Sequence, residues 1–332
     1  MAAGRARTGG LLSTLAIALL SLCGLAACGG AAHPSVLTVT TTVVSAPPPT
    51  PPLPGTGRPS VIIGDKNITE QFVLGDLYYE ALKGQGYTVS LNRNIGPTQV
   101  TIQALQSGTL SMYPEYLSTW DSAVAGYQRH FTDSLAAFRA GQNWALDHGY
   151  ELLNPTPFSD TPALAVNFNY GVQHGLNSIG DLIKVEGILT LGGPPQFQTD
   201  PSGLPAVTNA YGVVPAAFKA LAIGDQYQAL DSGAVQAADV NTTDAQLITG
   251  NYTLLSDPLK VFGWGNVVPV VPLKVIEAEG PQFPATINRV SALLTLSAIR
   301  QMNAAVAGGA DPATVALHFL QLHGLVPAGQ QP

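Results

Sequence analysis

Cysteine is nearly missing from this chain: 332 residues hold only Cys23 and Cys28. No disulfide framework is available, and an exported domain of this size does without one because its core is large enough. Charge is sparse as well, at 11% of residues, and basic side chains are the minority: 14 Lys+Arg against 21 Asp+Glu, a formal net charge of −7. Without a basic cluster, an acidic chain is a poor partner for nucleic acid or for an anionic membrane face. Six histidines are present, and none forms H-E-x-x-H or a pair at metal-ligand spacing; His318 and His323, five apart on a helix, point different ways. No G-x-S-x-G elbow occurs, and Gly192-Gly-Pro-Pro195 lacks both the dinucleotide pattern and the lysine of a phosphate-binding loop. No catalytic residue, metal or cofactor is therefore assigned, and the chain does not read as an enzyme. No solenoid-length repeat is visible.

What is present begins with the N-terminus. Arg5 and Arg7 precede an apolar run from Leu11 to Leu22, followed by Leu25-Ala-Ala-Cys-Gly29. A basic start, a short apolar core and small residues before a cut site make a secretory signal, and the run is shorter than the ~20 residues a membrane span needs. Residues 25–28 resemble the bacterial lipobox. That resemblance implies cleavage before Cys28 and a diacylglycerol on its thiol; the alternative is an ordinary signal cut nearby. Residues 1–27 are then signal and 28–59 a tether. Within the tether, Ala46-Pro-Pro-Pro-Thr-Pro-Pro-Leu-Pro54 favours extended polyproline II and forbids helix or sheet interiors. Beyond the signal remain 12 basic and 21 acidic residues.

The folded part alternates strand and helix. Ser60-Val-Ile-Ile-Gly64 reads as a buried strand. Asn67 with Glu70 looks like a helix cap, Val73, Leu77 and Ala81 share one helix face, and Gly84 and Gly86 end that helix. Tyr87–Leu91 is a second strand, Thr98 or Gln99 opens a second helix, and Leu110–Tyr113 is a third strand. This order argues for α/β with mostly parallel pairing. Further strands are expected at Ala163–Phe168, Leu189–Leu191, Tyr227–Leu230, Val235–Val240 and Tyr252–Leu255, with helices after Ser178 and through Val207–Ala222. Val267-Val-Pro-Val-Val-Pro-Leu273 reads as an edge or crossover strand because of its prolines. Asp311 caps a last helix that Gly324 stops.

Val61-Ile-Ile-Gly-Asp-Lys-Asn-Ile-Thr-Glu-Gln71, Gly96-Pro-Thr98 and Tyr113-Pro-Glu-Tyr116 resemble the S-K-N-F-T-E-Q, G-G-T and Y-P-E-Y-T-G-T of osmoprotectant-binding proteins of ABC importers. Phe158-Ser-Asp-Thr-Pro-Ala-Leu-Ala-Val166, Asp239-Val-Asn-Thr-Thr-Asp244 and Phe262-Gly-Trp-Gly-Asn-Val-Val-Pro-Val-Val271 resemble that family's F-N-N-T-Y-A-L-A-V, D-A-F-S-T-D and F-P-P-Y-Y-A-A-P-V-V. The resemblance implies a two-lobed periplasmic-binding-protein fold (type II), with lobe one over 60–162 plus 269–332, lobe two over 163–268, and a solute in the cleft. It further implies a small solute of the glycine betaine, choline or carnitine class, ABC permease subunits as partners, a lipid anchor on the extracytoplasmic face, and a monomer.

The family's aromatic cage for a trimethylammonium group is depleted here: Pro162, Gly265 and Asn266 stand where it has tyrosines. The expected pocket uses Gln71, Thr98, Gln99, Tyr116 and Thr119 from lobe one, Asp160 and Thr161 from the first crossing, Asn241 and Thr243 from lobe two, and Trp264 and Asn266 from the second crossing. Asn67 and Glu70 read only as helix caps. Glu115 reads as satisfying backbone donors, Tyr113 as core or site, and Asp239 and Asp244 as turn caps. A larger neutral or aromatic polyol-like ligand, or a non-transport sensor or surface interaction protein on the same fold, are the alternative readings.

Overall fold

The computed structural model describes residues 51–331; the expected signal, Cys28 and most of the tether lie outside them. Ten strands form three sheets among the described residues: β1 (Val61–Gly64), β2 (Val89–Asn92), β3 (Tyr113–Tyr116), β4 (Tyr150–Leu152), β5 (Pro162–Asn167), β6 (Thr190–Gly193), β7 (Ala217–Ala220), β8 (Ala237–Asn241), β9 (Tyr252–Leu254) and β10 (Val267–Pro272). The sheet orders are β1-β2, β3-β10-β4 and β7-β6-β8-β5-β9.

Pairing is mixed rather than mostly parallel. β1-β2, β6-β7 and β6-β8 are parallel, whereas β10 runs antiparallel to both β3 and β4, and β5 to both β8 and β9. The antiparallel pairs come from the segments that carry the chain out to the second sheet group and back. A local strand–helix–strand pattern does not report these long-range pairings. β10 is also central and fully buried, not an edge. Its Pro269 lies in register opposite Pro114 of β3, two residues without a ladder donor, and toward β4 it offers its carbonyl to Leu153 N at 2.9 Å.

Two local assignments also change. The expected strand Tyr227–Leu230 is a helix, Gln226–Asp231, because Tyr227 and Leu230 three apart bury on one helical face. The expected long helix from Val207 splits into the helix Leu204–Tyr211, ended by left-handed Gly212, and β7.

The helix Thr69–Gly84 organises the first sheet group. It buries Val73, Leu74, Leu77, Tyr78, Ala81 and Leu82 against the helices Gln282–Leu293 and Pro312–Leu322. Each such Val or Leu contributes about 1.5–3 kcal/mol on burial. Tyr78 spends its hydroxyl on Ser291 Oγ at 2.9 Å, so its polar tip is satisfied inside. Asp311 caps the last helix by accepting from Thr314 N at 3.0 Å, as the sequence implies. Two apolar clusters draw on residues 61–158 and 267–326, and two others on residues 163–262. The chain therefore builds two bodies. They meet along a seam beside residues 159–161 and 264–267.

Candidate functional site

The seam centres on Glu70, in the first turn of the Thr69–Gly84 helix. It is not a cap: the residue at the helix N-cap is Ile68, and Glu70 is buried. Its Oε1 accepts from the Tyr116 hydroxyl at 3.0 Å, and its Oε2 accepts from Asn303 Nδ2 at 2.9 Å. The same Asn303 nitrogen donates to the Thr243 carbonyl at 3.1 Å, so one amide ties the two bodies together. One turn earlier on the Leu296–Ala307 helix, Arg300 Nε donates to the Thr242 carbonyl at 2.7 Å. Thr242 then binds the crossing: its hydroxyl donates to Ser159 O at 2.7 Å and accepts from Thr161 N at 3.1 Å.

Asp160 enters the seam from that crossing, and its Oδ1 is buried with no hydrogen-bond partner among the described residues. Burial, followed by the nearby Glu70 charge, pushes its carboxyl up to about 8, with Thr243 opposing. Burial also raises Glu70, against the hydrogen bonds from Asn303, Thr243 and Tyr116. The Tyr116 phenol lies well above its ordinary value, first through burial and then through Glu70 and Asp160. Asp244 stands behind them, accepting from Asn241 N at 3.0 Å and the Tyr227 hydroxyl at 2.9 Å. Two carboxyl groups, one bonded to the Tyr116 hydroxyl, thus lie near one phenol in a low-dielectric seam. A ligand cation there would be matched in charge, and an anion repelled.

A second buried network sets the ring. Lys66 and Glu115 form an ion pair. Lys66 Nζ donates to Thr98 Oγ1 at 2.8 Å, Thr98 Oγ1 donates to Glu115 Oε2 at 3.1 Å, and Glu115 Oε1 accepts from Tyr116 N at 2.7 Å. Glu115 does satisfy a backbone donor, and it also neutralises a buried lysine. Lys66 Nζ stands 5.6 Å from the Tyr116 ring centre. Gln71 is fully buried beside this network, its Nε2 without a hydrogen-bond partner among the described residues.

Of the residues expected in the pocket, the fold gathers Gln71, Tyr116, Asp160, Thr161 and Thr243 at the seam, with Thr98 one layer behind. Gln99 is exposed on its helix, and Asn241 is exposed, meeting Asp244 only through its backbone: its N donates to the Asp244 carboxylate and its O accepts from Asp244 N. Thr119 is half-buried, with no side-chain hydrogen bond among the described residues. Asn266 spends its Nδ2 on the carbonyls of Thr156 and Phe158, at 2.9 and 3.2 Å, which shapes the crossing. Trp264 donates its indole N–H to Phe131 O at 3.0 Å and packs on the Leu105–Trp120 cluster of the first body. Tyr113 is core. Lys66, Glu70, Arg300, Thr242 and Asn303 complete the site beyond that set. Glu70 was visible only as half of a cap pattern, and Asn303 lies in a helix that no motif marks.

The chain matches the family described as the substrate-binding domain of ABC-type glycine betaine transport systems, over residues 59–322. It is 28% identical to the glycine betaine-binding protein YehZ of Escherichia coli (82% of this chain, 93% of that protein). It is likewise 28% identical to a glycine-betaine-binding protein of Pseudomonas aeruginosa (81% and 89%). At 24% identity it resembles the carnitine transport binding protein OpuCC of Listeria monocytogenes (86% and 94%). The solved structure of apo YehZ from Escherichia coli superposes with a TM-score of 0.70 at 26% identity, covering 80% of this chain and 99% of that one. A crystal structure titled as a glycine betaine/carnitine/choline ABC transporter superposes at 0.74 and 21% identity, over 80% and 99%, a likeness of fold. These neighbours are two-lobed substrate-binding proteins, and this chain shares that mixed α/β fold.

Proposed function

Because the chain belongs to the family of substrate-binding domains of ABC-type glycine betaine transport systems, we propose that it captures a cationic or zwitterionic solute of the glycine betaine, choline or carnitine class outside the cytoplasm and hands it to ABC permease subunits. The observation that carries this reading is the seam itself: Tyr116 held by Glu70, with the unpartnered Asp160 oxygen beside them. A ring face and a carboxylate together attract a cation more than either does alone. Lobe one would comprise 60–162 plus 269–332 and lobe two 163–268, hinged at the crossings. Opening would break the Asn303 and Arg300 contacts, and closure on solute would remake them.

Residues 1–27 would be removed as a signal, and Cys28 would carry the lipid that holds a monomeric domain on the extracytoplasmic face of the membrane. Two helices of the fold bury their apolar faces against the domain's own core, and no helix among the described residues is long and apolar enough to cross a membrane.

One observation favours a second reading. With no side chain possible at residue 265 and the Asn266 amide committed to the crossing, ring surface in the seam is reduced. A larger neutral or aromatic polyol-like ligand would tolerate that loss better than a trimethylammonium group. Calorimetric titration of the purified protein with glycine betaine, choline, carnitine and neutral polyols discriminates the two. Saturable heat with any of the three trimethylammonium solutes, weakened about tenfold by Glu70→Gln, supports the first reading; heat only with the polyols supports the second.

A further inference from the structure

The seam holds more hydrogen-bond acceptors than the protein satisfies. Asn303 Nδ2 is fixed by two acceptors, Glu70 Oε2 at 2.9 Å and the Thr243 carbonyl at 3.1 Å, so the network sets which way this amide points. Asn266 Nδ2 is fixed in the same way by the carbonyls of Thr156 and Phe158. Each amide is therefore left with its oxygen to satisfy. Both oxygens, and Asp160 Oδ1 with them, are buried without a hydrogen-bond partner among the described residues. One buried donor, Gln71 Nε2, is left over as well.

The fold keeps these groups together. Ser159 pairs with Asn266 across the crossing, and Asp160 N donates to Gly265 O at 3.0 Å. Asp160 in turn lies in the field of Glu70, the carboxylate that Asn303 binds. A buried acceptor costs free energy until a donor reaches it.

A trimethylammonium group has no N–H to give. It depends on ring faces instead, and the seam offers few. The Tyr116 ring is 7% exposed, and Lys66 Nζ stands 5.6 Å from its centre. Residue 265 has no side chain, and the Trp264 indole packs in the first body. A neutral polyol would donate hydrogen bonds but leave charge unmatched, because Asp160 feels both Glu70 and Asp244. An ammonium group that keeps its hydrogens meets both needs: it donates to the oxygens and carries the opposite charge. Such charge-assisted bonds are roughly twice as strong as neutral ones.

We propose that the seam takes a compact primary ammonium cation, and takes it more tightly than the trimethylammonium cation of the same carbon skeleton. The inference rests on the seam being the solute site and adds a solute class to that reading.

Calorimetric titration of the purified protein at neutral pH compares ethanolamine, choline and ethylene glycol. The three share a two-carbon alcohol and differ in carrying an ammonium, a trimethylammonium or a second hydroxyl; the shared hydroxyl oxygen gives Gln71 an acceptor. Ethanolamine should saturate about tenfold more tightly than choline, with ethylene glycol weakest. The singly and doubly N-methylated ethanolamines should fall between, in order, because each methyl group removes one donor. Asp160→Asn should weaken ethanolamine about tenfold and choline less, narrowing the gap. Choline binding as tightly as ethanolamine overturns the proposal and leaves the importer reading standing. Ethylene glycol binding more tightly than ethanolamine, or an unchanged ethanolamine affinity in Asp160→Asn, also overturns it. No saturation at about 100 mM by any of these solutes, or by glycine betaine and carnitine, removes the seam as the solute site and the proposal with it.

Discussion

Gly265 lies so close beneath Asp160 that a β-carbon on it would stand 1.6 Å from the Asp160 carbonyl oxygen. The two strands of the crossing are locked there: Asp160 N donates to Gly265 O at 3.0 Å, and Gly265 N donates to Ser159 Oγ at 2.9 Å. The family pattern has a tyrosine at this position, so its ring is absent here for a steric reason. The space that a side chain would need is taken by the backbone that delivers Asp160 to the seam. A carboxyl group stands near where the family pattern would place aromatic surface.

Gly265→Ala should therefore destabilise the protein by about 3 kcal/mol or more, since two backbone segments rather than a flexible side chain must give way. Urea unfolding followed by circular dichroism measures this. A loss below about 1 kcal/mol would show that the crossing is not tightly constrained.

Asp160 gives stability a pH dependence of definite sign. Its folded-state carboxyl titrates near 8, above the ordinary carboxylate range, so the folded protein holds a proton that the unfolded chain releases. The stabilisation is fully present below about pH 4 and is lost as pH rises through about 8. Asp65, Asp121 and Asp239 are raised in the same direction, to about 6, 7 and 7. The diagnostic quantity is therefore the difference between the parent and Asp160→Asn in melting temperature across this range, and the variant should show the flatter profile. Affinity for a cationic solute in the seam should run the opposite way, rising with pH as the carboxyl ionises, with proton release on binding.

Asn303→Ala removes the amide shared by Glu70 and the Thr243 carbonyl, leaving two buried acceptors short of a donor. The expected cost is about 2 kcal/mol. Because the amide bridges the two bodies, small-angle scattering should also report a larger radius of gyration without solute. An unchanged radius would mean that Arg300 alone holds the seam shut.

Trp264→Ala tests whether the indole touches the solute. The indole packs in the first body, so its removal should cost up to about 3 kcal/mol of stability. Seam affinity should hold within about twofold, as expected for sites without shared partners. A tenfold loss would place the indole on the solute after all.

Much of the fold was legible along the chain because it is written in short-range pattern. The Val73, Leu77 and Ala81 stripe and the Asp311 cap are consequences of local backbone and side-chain geometry. The Tyr227–Leu230 strand failed for the same reason others succeeded. A four-residue apolar run fits either period, and only burial on a helical face decided it.

At the seam, the sequence pointed to Tyr116, Asp160 and Thr243 through motif likeness. Glu70 looked like a cap because Asn67 and Glu70 have cap spacing, and spacing carries no information about what lies across a cleft. Trp264 was expected in the pocket from the second crossing, yet its indole donates to Phe131 O and packs in the first body.

The sequence by itself determined the family, the α/β class and the depletion of tyrosine around the crossing, since these are matters of residue identity and order. Only the tertiary structure decided that Glu70 is shared between Tyr116 and Asn303, the latter 233 residues away along the chain, and that the Trp264 indole packs in the first body. Charge matching and burial depend on distance in space, and folding brings such distances about between residues whose separation in sequence is arbitrary.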